Sequence, residues 1–120
     1  MDLCPLYEDC AFLEAWPGVP VGNEEGEIIT TALGDKRAIL LSHHGQLSTG
    51  ASIEEACVIA QLIERAAKLQ LLAMSAGSVK PILPQLGREA HDWISKPKRH
   101  GAAFNYYARQ NLRKHADCLN

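Results

Sequence analysis

The sequence lacks several features that would assign its class at once. Its apolar runs are short, as in Ala38–Leu41, so no segment is long enough to span a bilayer. The first residues include Asp2, Glu8 and Asp9 in place of the basic start and apolar core of a secretory signal. No C-x-x-C pair occurs, so neither a structural zinc site nor thioredoxin-like chemistry is indicated. We therefore expect a soluble, cytoplasmic protein with reduced thiols and no membrane partner.

Basic residues are absent from the first 35 positions, which carry eight acidic residues. Residues 96–120 have the opposite balance, with six basic residues against Asp117 alone. Such asymmetry suits contacts between the two ends of the chain or between neighbouring subunits. The sequence pI of 6.2 and the lack of a nucleic-acid-binding motif predict no nucleic-acid partner.

What is present fits one globular domain. The chain has 120 residues, of which 47% are hydrophobic and 22% charged, close to the average for folded proteins. This length supports a real core and is too short for two ordinary domains. We therefore treat residues 1–120 as a single domain.

The pattern along the chain predicts alternating helices and strands. Segment 1–21 is expected to be an irregular connector because Pro17 and Pro20 flank a glycine. Its apolar residues should hold it against the core: Phe12, Leu13 and Trp16. A helix of about three turns follows, with Asn23 as its cap and Gly34 as its end.

Two strands and a long helix come next. Ala38–Leu41 is continuously apolar, as in a strand buried on both faces, and 46–50 suits a short paired strand. Ser52 and Glu55 form a capping box that starts a helix reaching to about residue 75. We predict an α/β fold with a mixed sheet layered with helices.

Two shorter helices complete the predicted set. One covers about 86–94, with Trp93 as a packing anchor, and the basic last helix covers about 102–115. Lys96-Pro97-Lys98 separates them.

His43 and His44 are the one pair that stands out chemically. They follow a predicted strand at its carboxyl end, where open α/β sheets place their chemistry. Neighbouring strand residues point to opposite faces, so one imidazole should face a cleft while the other packs. Either they serve a metal site or they are hydrogen-bonded loop residues. The remaining histidines are expected to be surface or capping residues: His91, His100 and His115.

The order of these segments resembles the class II aldolase/adducin family. The resemblance is carried by the stretch Ala38-Ile-Leu-Leu-Ser-His-His-Gly45, followed by Ser52-Ile-Glu-Glu-Ala56 and the long Ala- and Leu-rich helix. It is specific over 23–75, and the chain looks like the C-terminal half of a family domain. It implies the α/β fold of that family.

The resemblance also implies a site. In the family, the histidine immediately before this glycine binds a catalytic divalent metal, usually zinc, and here it is His44. At position 43 many relatives have asparagine. The resemblance implies that the other metal ligands (an H-x-H pair) and the acid–base residue lie upstream, and this sequence has no H-x-H.

The implied function is carbon–carbon bond cleavage in a carbonyl or sugar-phosphate substrate by a homo-oligomer. Tyr106, Tyr107 and Arg109 of the basic segment 96–120 are candidates for lining a site at a subunit boundary. With one of the usual ligands, the chain alone is expected to be inactive. The alternative is a non-catalytic, adducin-like assembly module or a truncated product.

Overall fold

A mixed three-stranded sheet lies at the centre of the computed structural model, which describes residues 4–15, 18–19 and 22–119. Strand β1 (Cys10–Leu13) runs parallel to β2 (Ala38–Leu41), and β2 runs antiparallel to β3 (Gly45–Ser48). The predicted β2 is confirmed, and β3 begins one residue earlier and ends two residues earlier than predicted. The interpretation of 1–21 as an irregular connector is wrong for 10–13, because the nearby prolines stand outside the four residues that pair.

The described residues also form four helices, the first two of which pack on the sheet. They are α1 (Glu24–Leu33), α2 (Ile53–Ala76), α3 (Pro84–Ile94) and α4 (Pro97–Lys114), with 3-10 turns at Cys4–Leu6 and Ala116–Leu119. The last helix starts five residues earlier than expected because Pro97 occupies its first turn, where a missing N–H costs nothing. Among the described residues, no helix is both long and apolar enough to cross a membrane.

Helices pack on both faces of the sheet, and one face leaves Leu40 of β2 partly exposed. On one face, Ala11, Ile39 and Leu41 pack against apolar residues of α1. On the other face, Ala38 packs against Ile59 and Ile63 of α2. Alternation along β1 and β2 assigns these residues to opposite faces. The predicted mixed sheet layered with helices is confirmed.

Two apolar residues of β1, Leu13 and Phe12, differ in their burial. Leu13 packs against the core cluster, as expected. Phe12 does not, since it is 62% exposed on the same face as its neighbour Leu40. Trp16 and the prolines at 17 and 20 lie outside the described residues.

The start of α2 has the predicted cap. The Glu55 backbone N–H donates to the Ser52 hydroxyl at 3.2 Å, while the Glu55 carboxylate accepts from the Ala51 N–H at 2.8 Å. The cap of α1 differs from expectation, because Asn23 has helical backbone angles and makes no side-chain capping bond.

Helix α3 packs closely on the N-terminal 3-10 turn. Gly87 is buried, and a Cβ at this position would lie 2.5 Å from the Tyr7 ring. Only glycine therefore permits this approach. Trp93 is not the packing anchor that we predicted. It is 57% exposed, with the Lys96 Nζ 4.3 Å and the Arg99 Cζ 5.0 Å from its ring centre, a cation–π arrangement.

Candidate functional site

The turn between β2 and β3 carries the two adjacent histidines. The Ser42 N–H donates to the Leu13 carbonyl at 3.0 Å, and the His44 N–H donates to the Leu41 carbonyl at 3.1 Å. His43 lies between them with φ of 59°, in the left-handed region. The turn is thus fixed by its backbone at the carboxyl ends of both parallel strands, as predicted for the site.

Both imidazoles are exposed. The prediction that one of the two imidazoles packs is wrong, because β2 ends at Leu41 and strand alternation no longer applies at position 43. Within the part of the chain that the structure describes, no group of three or more His, Cys, Asp or Glu side chains converges as a metal site would require. The role of His44 as a ligand remains a prediction.

The aromatic candidates lie on α4, which packs against α2. Tyr106 and Tyr107 contact each other edge to face, with ring centres 5.7 Å apart. Tyr106 and Arg109 are exposed and Tyr107 is half-buried. A catalytic role for these three residues also remains a prediction.

A second polar cluster lies at the opposite ends of β1 and β2 and was not foreseen. We call it the Arg37 cluster, and its members come from five parts of the fold: Asp9, Arg37, Glu55, His91 and His100. The guanidinium of Arg37 is its centre.

Arg37 holds two carboxylates at once. Its backbone N–H donates to Asp9 Oδ1 at 2.8 Å, and its Nε donates to Asp9 Oδ2. Its Nη1 donates to Glu55 Oε1 at 2.8 Å. Its Nη2 donates to the Pro5 carbonyl at 3.3 Å and to Ser95 Oγ at 3.2 Å. The planar fork of arginine suits such multiple pairing.

These contacts change the acidity of both carboxyl groups. Burial alone raises the pKa of Asp9, but hydrogen bonds from the backbone and side chain of Arg37 outweigh it and lower the pKa. At Glu55 burial also opposes the charge, and hydrogen bonds from the Ala51 N–H and from Arg37 lower the pKa. Both carboxylates are therefore held ionised.

The ring of His91 completes one side of the cluster. Its Nε2 lies 3.1 Å from Arg37 Nη2, and its Nδ1 lies 3.0 Å from Asp92 Oδ1. The same Nε2 lies 3.3 Å from Asp9 Oδ2, so the ring contacts both the guanidinium and one of its carboxylate partners. We expected a surface or capping histidine, but His91 is half-buried and joins α3 to the sheet.

His100 lies deeper still, only 3% exposed. Its Nδ1 is 3.4 Å from Glu55 Oε1, yet neither ring nitrogen has a hydrogen-bond partner among the described residues. Burial lowers the pKa of His100, with a further contribution from Arg37, against the attraction of Glu55. The expectation of a surface histidine is wrong here because α4 begins directly against the first turn of α2.

One signal in the sequence would have revealed the cluster. Cys10 and Ala38 are register partners in the two parallel strands, so Asp9 and Arg37 precede neighbouring strands at equivalent positions. Opposite charges at such positions meet. The signal depends on recognising β1, which the proline content of 1–21 obscured.

The two polar sites differ in what they can do. The members of the Arg37 cluster are half-buried or buried and are mostly paired with one another, which is typical of an element-joining network. The histidine turn is exposed at the carboxyl edge of the sheet, where open α/β sheets place their ligand sites. Of these two clusters, we take the turn as the candidate functional site.

Comparison with known proteins finds a matching family and proteins of similar sequence. Residues 3–71 match the class II aldolase and adducin N-terminal domain family. The chain is 31% identical over 87 residues to 4-hydroxy-3-prenylphenylpyruvate oxygenase/4-hydroxy-3-prenylbenzoate synthase of Streptomyces roseochromogenus, which covers 72% of the chain and 31% of that protein. It is 30% identical over 111 residues to decarboxylase NovR of Streptomyces niveus, covering 86% of the chain and 41% of the relative.

A solved structure extends the similarity to the fold. L-fuculose 1-phosphate aldolase from Glaciozyma antarctica superposes with a TM-score of 0.81 at 26% identity, over 97% of this chain and 43% of that one. The chain thus spans less than half the length of these three proteins.

Proposed function

The chain belongs to the class II aldolase and adducin family, and from this premise we propose that it forms part of a carbon–carbon lyase. His44 is the proposed ligand of a divalent metal, with zinc as the expected ion. The proposed substrate is a small carbonyl compound or sugar phosphate. The isolated chain is expected to lack aldol cleavage activity.

The position of His44 carries the proposal. An exposed imidazole follows β2 at the carboxyl edge of the sheet, in a turn tied to β1 through the Leu13 carbonyl. Imidazole nitrogen is a preferred zinc donor. The same residue is the one that the family resemblance assigns to the metal.

The donors present do not make a complete site. Catalytic zinc takes three protein ligands and keeps one position open. In the described ranges, no group of three His, Cys, Asp or Glu side chains converges. We therefore propose that other polypeptide supplies the remaining donors, and we derive no reaction step through a metal in this chain.

The relatives narrow the type of reaction. One is a decarboxylase and one structure is a sugar-phosphate aldolase by name. Both reactions break a carbon–carbon bond, so a lyase is the shared proposal. A non-catalytic, adducin-like assembly module or a truncated product is the alternative.

Free thiols at Cys4, Cys10 and Cys57 support the proposed cytoplasmic location.

Zinc titration by calorimetry tests the proposal. The wild-type chain is expected to bind zinc weakly, and His44→Ala should reduce that binding further, whereas His115→Ala should leave it unchanged as a control on an exposed histidine. Mixing the chain with the upstream half of a family member should increase zinc affinity and restore cleavage of fuculose 1-phosphate.

Two results would contradict this reading. Tight stoichiometric zinc binding by the chain alone, lost in His44→Ala, would make it a self-sufficient metal site. Equal zinc binding by the wild type and His44→Ala, both alone and with the added half, would remove His44 as a ligand and favour the assembly module.

A further inference from the structure

Helix α4 has a single fully buried side chain, and that side chain can take up a proton. Of the 18 residues of α4, only His100 is buried. Phe104, Tyr107 and Ala108 follow it at helical spacing and are half-buried. The main contacts of α4 are with α2 and with the 3-10 turn that follows it. Release of α4 from α2 therefore requires no break in the strand pairing of the sheet.

The ring of His100 is enclosed without a hydrogen bond. Neither of its nitrogens has a partner in the described part of the chain, although Nδ1 lies 3.4 Å from Glu55 Oε1. Both oxygens of that carboxylate already accept from other donors, Oε1 from Arg37 Nη1 and Oε2 from the Ala51 N–H. A buried polar group without a hydrogen bond costs free energy, and a charged one costs more. The docked position of α4 therefore suits a neutral imidazole.

The charged groups around His100 come from several parts of the fold. Glu55 of α2 attracts a proton to the ring, whereas Arg37, directly before β2, repels it. Beyond Arg37 lie Asp9, directly before β1, and His91 of α3. The charged residues at the start of α4 are all exposed: Lys96, Lys98 and Arg99. Burial outweighs the attraction of Glu55, so the pKa of docked His100 lies below its ordinary value.

We propose that protonation of His100 controls the docking of α4: the helix lies on α2 while the ring is neutral and leaves it when the ring gains a proton. In the released helix the imidazole faces water and has its ordinary pKa of about 6.5. The released state therefore binds the proton first as pH falls through about 6.5, and docking weakens below that pH. Release uncovers the face of α2 that α4 occupies and carries Tyr107 away from it. This release is independent of the metal role of His44.

Amide hydrogen exchange at about pH 7.5 and about pH 5.5, corrected for the intrinsic effect of pH on exchange, tests this control. Local opening of a helix lowers the protection of its own amides. Protection in α4 is expected to fall about two- to tenfold at the lower pH, while β2 stays better protected than α4 at both. His100→Gln cannot titrate and should remove the fall. His115→Gln replaces an exposed histidine at the end of α4 and should keep it.

The other outcomes are also decisive. His100→Leu is a second, apolar replacement, and circular dichroism at both pH values shows whether each variant is folded. Equal protection of α4 and β2 in the wild type would mean that α4 leaves only when the whole protein unfolds, and this would overturn the proposal. A wild-type change of less than about twofold would also overturn it. A fall that persists in both His100 variants and disappears in His91→Gln would assign the proton to His91 instead.

Discussion

Replacing Arg37 by alanine tests how much the Arg37 cluster contributes to the stability of the fold. Asp9 and Glu55, whose side chains are each 15% exposed in the wild type, lose their shared cation in Arg37→Ala. The hydrogen bonds from Arg37 that help to lower both pKa values are lost in this variant, so each carboxyl group must carry its charge against its burial. Two adjacent anions would then repel each other in a poorly solvated site.

The expected loss is about 3 kcal/mol. Removing one partner of a fully buried ion pair costs about 3–5 kcal/mol, and the remaining solvent access of both acids favours the lower end. Because a domain of this size is stable by about 5–15 kcal/mol, such a loss is a large fraction of the total. Arg37→Lys keeps the charge but loses the planar guanidinium with its several donors, so it should lower the unfolding free energy by about half as much.

Urea unfolding followed by circular dichroism measures these differences. Arg88→Ala is the matched control, because its pair with Glu8 is more than half exposed on both sides and is worth less than about 1 kcal/mol. If Arg37→Ala destabilises the protein no more than Arg88→Ala, the Arg37 cluster is not a stabilising network and our account of it is wrong.

Three further predictions concern the stability of single elements. Ser52→Ala removes the α2 cap and should lower the unfolding free energy by about 1 kcal/mol; an unchanged urea midpoint would refute the cap. Gly87→Ala should lower the unfolding free energy by about 1–3 kcal/mol through overpacking. Gly101→Ala, at a position with open space around it, should leave the unfolding free energy unchanged or raise it by up to about 1 kcal/mol. Calorimetric melting compares the two variants. Because the pKa of His100 is lowered by burial, the unfolded chain takes up a proton first as pH falls below about 6.5, and stability should fall. His100→Leu should flatten this pH dependence in urea titrations, while His115→Leu should not.

Local signals in the sequence were sufficient for most of the fold. The Ser52 cap, Gly34 and the apolar run of β2 are short-range features, and each marks a real boundary. β1 was missed because its stability comes from pairing with a strand 28 positions away, which no local pattern reports. Trp93 differs, because the cations beside its ring, Lys96 and Arg99, are close in sequence and only its exposure was unexpected.

The candidate site was also predictable only in part. The location of His43 and His44 after β2 was predictable from the run that precedes them, and the structure places both at the carboxyl edge. The exposure of both imidazoles was not predictable, because it depends on the end of β2 at Leu41 and on the left-handed backbone at position 43. The burial of His100 was equally hidden, since it arises where two separate helices meet.

The pair formed by Asp9 and Arg37 has a consequence for how β1 finds its place. No tight turn joins β1 to β2, and each strand has only four residues, so their backbones alone would tolerate sliding. A slip of one residue would move the carboxylate about 3.3 Å and break its contacts with both the N–H and the guanidinium of Arg37. The pair of Asp9 and Arg37 therefore favours a single register of β1 against β2. The same register fixes the position of the histidine turn, at the far end of β2, relative to Leu13.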